Sequence, residues 1–174
     1  MDGTPPVPSR PGACRVAVVG LWAYLMSLSG LLDLVVGEPQ LASVLRDVRE
    51  GDASDVSLIA PPALRPFTVA ALARDGAGGG ARRTVLAVTA TGREAEDLAA
   101  ALTSLLDGNS VAVFPAWETL PHERLSPRSD TVGQRLAVLR RLAHPVEGDV
   151  AAGPLHVIVA PIRAVLQPIV RGLG

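Results

Sequence analysis

Four short runs in this chain are apolar almost from end to end, instead of alternating with polar residues. They are residues 55–60 (DVSLIA), 84–90 (TVLAVTA), 110–114 (SVAVF) and 155–160 (LHVIVA). A strand with one wet face alternates, whereas a strand covered on both faces does not. Unbroken runs therefore point to a parallel sheet lying between helices. The segments between the runs carry helical spacing instead. Leu41, Val44, Leu45 and Val48 recur at that spacing, and residues 67–74 suit a second helix. Thr91 and Glu94 have the offset of a capping box, opening a helix with Ala95, Leu98, Ala99, Leu102 and Leu106 inward. Residues 130–143 form another helix, with Val132, Leu136, Leu139 and Leu142 on its inner face and Arg135, Arg140 and Arg141 opposite. Ser129 is placed to cap it, and Asp130 suits its positive end. Pro161 opens a last helix. The fold expected is α/β, a doubly wound parallel sheet of about four strands flanked by helices. The glycine-rich stretch 75–81 (DGAGGGA) reads as a flexible surface loop.

The first 25 residues differ in character. Residues 1–12 are rich in Pro, Gly and Ser, and an uncharged run, 16–32, follows Arg10 and Arg15. That run is short for a membrane span and contains two glycines. No small-residue cleavage site follows it, because Asp33, Glu38 and Pro39 arrive instead. Met26 offers a sensible alternative start. The organisation expected is a disordered or extraneous extension over 1–25, one domain over 26–171, and residues 172–174 opening a link onward. A formal charge of −1 supplies no overall field toward nucleic acid or membrane. The lone Cys14 excludes an internal disulfide, and the expected location is cytoplasmic.

In this architecture the first strand-to-helix turn normally holds phosphate, using glycines for close approach and a lysine for charge. Here that turn contains Pro61, Pro62, Arg65, Pro66 and Thr68, without glycine, and its prolines delete N–H donors. All sixteen basic residues of the chain are arginine, so neither a phosphate-loop lysine nor a lysine nucleophile exists. Asp55 and Asp149 stand apart near strand starts and form no metal-binding acidic pair. His122, His144 and His156 lack metal-ligand spacing, and Ser126 and Ser129 have no Asp/His constellation beside them. The domain is thus laid out as a degenerate phosphate-loop type, with no catalytic residues, no cofactor and no metal expected.

The distinctive stretch is residues 114–142, FPAWETLPHERLSPRSDTVGQRLAVLRRL. It places Trp117 in a polar, proline-broken loop, where a Trp anchors packing or a partner. Glu118 and Glu123 are placed to pair with Arg124 or Arg128. An ordered connector whose Trp plugs the sheet edge is the simpler reading of the same residues. The order Phe114-Pro115, Trp117-Glu118, Leu120-Pro121, Ser126-Pro127, Asp130 and Arg135-Leu136 resembles the N-terminal region of the bacterial transcription-repair coupling factor family (Mfd). Residues 84–102 also look like that family's second strand and helix, and the resemblance runs from about Met26 to the C-terminus.

That resemblance implies a domain similar to the first domain of the excision protein UvrB, without its phosphate loop and without its damage-gripping hairpin. It implies a scaffold and interaction role, with Trp117, Glu118, Leu120, Pro121, Ser126, Pro127, Asp130 and Arg135 as motif and interdomain-contact residues. ATP and Mg would belong to the parent's motor domains. UvrA, RNA polymerase and duplex DNA would be met largely through other regions, and no membrane is implied. One alternative stays open, a stand-alone DNA-binding domain. It would use the arginine-rich helix 130–143 together with Arg124 and Arg128.

Overall fold

The computed structural model describes residues 28–52, 55–119 and 126–169. Three parallel strands form the sheet, β1 (Val85–Thr89), β2 (Val111–Val113) and β3 (Val157–Pro161), in the order β1-β3-β2. Val157 lies opposite both Val85 and Val111, so the two outer strands start level with the central one.

β3 is buried at every position. Its side chains alternate between two cores, as a pleated strand requires. Val157 and Val159 join Ala87 and Val111 under α3 (Arg65–Ala73) and α4 (Gly92–Thr103). That core also takes Leu32 of α1 (Ser29–Val36) and Leu45 of α2 (Pro39–Glu50). Ile158 and Ala160 face the other way, onto Val138 of α5 (Ser129–Ala143) and Ala164 of α6 (Ile162–Leu166). The α/β class and the covered parallel sheet are as the unbroken runs require.

Local chemistry explains where the helices begin and end. The Glu38 carboxylate accepts from the Leu41 N–H at 2.8 Å, Pro39 occupies the first turn of α2, and Gly51 closes it at φ 87°. Thr91 accepts from the Glu94 N–H at 3.2 Å, and Glu94 reaches back to the Ala90 N–H at 3.1 Å. The reciprocal cap is therefore present, landing one residue earlier than the standard box. Ala95, Ala99 and Leu102 are buried beneath it as expected, joined by Leu105.

Four expectations need correction. Residues 55–60 form no strand and are exposed, so the sheet among the described residues has three strands and not four. An apolar run becomes a strand only where a neighbour accepts its backbone hydrogen bonds, and none is in place among the described residues. The inner face of α5 is rotated from its expected position: Thr131, Arg135 and Val138 are buried, while Leu136 and Leu142 are exposed. Arg128 and not Ser129 occupies the capping position of α5. Finally, the glycine-rich stretch is not a loose surface loop. Ala81 and Arg83 donate to the Ala71 and Leu72 carbonyls, Arg49 Nε donates to the Gly80 carbonyl at 3.1 Å, and Gly80 and Ala81 are buried.

The membrane alternative touches described residues only at the end of the uncharged run. There α1 has eight residues and Leu32 is 1 % exposed in the core. No helix among the described residues is long and apolar enough to cross a membrane. The extension 1–25 lies outside the described residues.

Gly80 supplies a test of the corrected loop. A Cβ there would sit 2.3 Å from the Arg74 backbone oxygen, whereas one at Gly76 meets nothing closer than the Arg49 Nε at 3.9 Å. Gly80→Ala is expected to cost roughly 2 kcal/mol or more because backbone must move, and Gly76→Ala well under half of that. Urea unfolding of the two variants checks the difference.

Candidate interaction site at the Trp117 loop

The turn that would hold phosphate runs from Pro61 through a 3-10 turn, Pro62–Leu64, into α3. Pro62 and Pro66 occupy the early helical positions of these two elements, and Pro61, Pro62 and Arg65 are exposed. The Thr68 hydroxyl donates to the Leu64 carbonyl at 3.1 Å, inside its own helix, so it is not turned toward a ligand.

The opposite edge of the sheet is more elaborate. β2 delivers Phe114, whose N–H donates to the Val159 carbonyl at 2.8 Å, and the chain then leaves the sheet through Pro115 and Ala116 to Trp117. Arg135 enters from α5 and lies between the two rings. Its guanidinium carbon is 4.1 Å from the Phe114 centroid and 4.4 Å from the Trp117 centroid. Nη1 donates to the Pro115 carbonyl at 2.6 Å, and the residue is 2 % exposed. No carboxylate among the described residues forms an ion pair with it. Burial lowers its proton affinity below the ordinary guanidinium value. Arginine nevertheless stays charged in proteins, so the rings and the carbonyl must stabilise a buried cation. A planar guanidinium suits this place because it stacks with both faces while its edge donates; an ammonium does neither as well.

Trp117 is tied down from a second side. Its N–H donates to Gln167 Oε1 at 2.7 Å, and Gln167 Nε2 donates back to its carbonyl at 3.4 Å. Gln167 follows α6, fifty positions away, and sequence reasoning did not find it; a lone Gln beyond a short helix carries no signal.

Glu118 links the motif to the start of α5. One carboxylate oxygen accepts from the Thr131 hydroxyl and the other from the Arg128 N–H at 3.4 Å. The Thr131 hydrogen bond, aided by backbone N–H groups and the Arg128 charge, holds its pKa below the ordinary carboxylate range. Glu118 does meet Arg128 as expected, but through the backbone N–H. Arg128's own guanidinium lies 3.8 Å from Asp130. Ser126, Pro127 and Asp130 are exposed, whereas Leu120, Pro121, His122, Glu123 and Arg124 lie outside the described residues.

The clamp leaves an open cleft of about 550 Å³ beside it, lined by Trp117, Thr119, Pro127, Ile162, Leu166 and Pro168 among others. Leu166 is 76 % exposed at its wall. The arginine face expected of α5 is largely consumed by the fold. Arg135 is inside, and Arg141 donates to the Gly153 carbonyl at 2.8 Å and to the Asn109 carbonyl. Arg140 is exposed, with its charge helping to lower the pKa of Asp149 after the dominant hydrogen bonds from Ala151 and Ala152. His144 and His156 are both exposed, and no group of three metal-ligating side chains occurs among the described residues.

Comparison with known proteins matches the sequence to a family. Over 147 residues, 84 % of the chain, it is 46 % identical to the transcription-repair-coupling factors of Mycobacterium bovis and Mycobacterium tuberculosis. This chain belongs to the transcription-repair-coupling factor family. It spans 11 % of the length of those relatives. No family model matches it. Within this coupling-factor segment, Phe114, Trp117 and Arg135 form one packed unit, and Glu118 ties the same loop to α5 through Thr131.

The clamp makes a direct prediction. Arg135→Ala removes two ring contacts and a charged hydrogen bond, for an expected loss of about 2–4 kcal/mol. Arg135→Lys should recover less than half of it. Urea denaturation followed by far-UV circular dichroism measures both, and a lysine variant as stable as wild type would refute the stacking account.

Proposed function

We propose that this chain is a non-catalytic scaffold and interaction module of a transcription-repair coupling factor. In this reading the larger protein is an ATP-driven DNA translocase that displaces stalled RNA polymerase and recruits the UvrA/UvrB excision machinery. ATP and Mg are used by motor domains outside these residues, and the protein works in the cytoplasm. The module's nearest partners are the other domains of its own protein, with UvrA, RNA polymerase and duplex DNA engaged mainly elsewhere.

The observation that carries the reading is the turn at residues 61–68. Prolines replace donors, glycine and lysine are missing, and the Thr68 hydroxyl is spent on its own helix. A domain with this layout and no phosphate cradle has its surfaces left as its means of acting. The Trp117 cleft is the surface best prepared for that, since its wall is held by the Arg135 clamp and its apolar rim is exposed.

Titrating ATP with Mg against the purified chain by calorimetry is expected to give no saturable heat. Micromolar binding would overturn the non-catalytic reading. For the interaction half, Leu166→Arg in the full-length factor should leave folding intact, because the side chain is exposed. It should nevertheless impair transcription-coupled repair or loosen domain packing, seen as faster limited proteolysis. Unchanged repair together with an unchanged proteolytic pattern would remove the cleft from the proposal.

A further inference from the structure

Proline recurs at every third position along the N-terminal stretch 2–11, DGTPPVPSRP: Pro5, Pro8 and Pro11, with Asp2 one step earlier. A polyproline II helix repeats about every three residues, so in that conformation these four side chains would share one edge. Proline already holds φ near the value this helix needs, which lowers the ordering cost of binding. The helix has no internal hydrogen bonds, so its carbonyls ask for donors from a partner surface. Residues 1–12 themselves lie outside the described residues.

The Trp117 cleft has the chemistry that such an edge requires. Proline-rich segments dock into aromatic-lined grooves, where pyrrolidine rings pack on the aromatic ring. Trp117 lines this cleft together with Ile162 and Leu166, while Arg135 stacks over the same ring at 4.4 Å and holds it in place. An indole N–H donates and cannot accept, which suits a backbone rich in free carbonyls. Arg163, exposed on the same wall, supplies the charge opposite to Asp2. At about 550 Å³ the cleft has room for a short peptide.

We propose that residues 2–11 dock along the Trp117 cleft of their own chain as a polyproline II segment, with prolines against Trp117 and Leu166 and Asp2 toward Arg163. Occupied in this way, the cleft is closed to a partner until the segment is displaced. That autoinhibitory part rests on reading the cleft as the module's interaction surface. The reach is sufficient. The Leu28 N–H donates to the Ser104 carbonyl at 3.2 Å, at the end of α4 far from Gly92, whereas Trp117 follows the end of β2. Residues 13–27 extend to about 50 Å at roughly 3.3 Å each, against a radius of gyration of about 15 Å for a domain of this size. Tethering also gives the segment an effective concentration on the order of a millimolar, so even a weak contact is populated.

Nitrogen-15 NMR of the 174-residue chain tests this, with Trp22→Phe leaving Trp117 as the sole indole signal. Pro5→Ala, Pro8→Ala and Pro11→Ala made together should shift the Trp117 indole signal and the amides of residues 163–167, while unchanged β3 amides show that the fold holds. A synthetic peptide of residues 1–12, added at about a millimolar, should return those signals saturably toward their original positions. Leu166→Arg should abolish that response. Unshifted signals in the triple variant, a shift that the peptide does not reverse, or a response that survives Leu166→Arg would overturn the contact. So would signals of the unaltered tail that change between dilute and concentrated chain, which assign the occupant to a second copy. Each of these failures leaves the cleft's role toward other domains, judged by Leu166→Arg in the full-length factor, untouched.

Discussion

β3 is buried at all five of its positions, and that single demand organises the domain. A strand covered on both faces needs a helical layer on each side and a neighbour along each edge. α3 and α4 meet the first face through Val157 and Val159; α5 and α6 meet the second through Ile158 and Ala160. With Val157 and Val159 both 0 % exposed, each contributes roughly 1.5–3 kcal/mol of burial, which propensity alone would not provide. The outer strands inherit what β3 leaves them, and among the described residues β1 is paired on one side only.

The Arg135 clamp is the second consequence of the same geometry. Phe114 emerges from β2 directly into the α5 side of the sheet, so a residue on α5 must cover its ring. An arginine does this while remaining charged, because two aromatic faces and a carbonyl replace the water it gives up. Burying it also fixes where Trp117 lies and hence the wall of the neighbouring cleft. A residue that looked like part of a basic surface is thereby a positioning element for an apolar one. The electrostatic case for nucleic acid at this helix weakens correspondingly, since Arg141 is spent on carbonyls as well.

Much of the fold was legible because its signals are local. The β1 run, the Thr91 cap, the α4 face and the proline-broken turn each depend on residues within a few positions of one another. The site was legible only as a sequence order. Trp117, Glu118 and Arg135 stood out, but Gln167 did not, since its partner is fifty positions away. Hydrophobicity does not choose the face of α5: stacking with Phe114 and Trp117 turns Arg135 inward and leaves Leu136 and Leu142 outside.

By itself, then, the amino-acid order determined a covered parallel sheet, the capped helix start at Gly92, and prolines in the turn at residues 61–68. These follow from backbone chemistry and periodicity, which act over one or two turns of chain. Tertiary structure alone decided which apolar runs became strands, which face of α5 is inside, and that the glycine-rich stretch is packed. Each of those depends on a partner being present at the right distance. Residues 55–60 make the point most clearly: the sequence of a strand is there, and with no neighbouring ladder among the described residues it is unpaired.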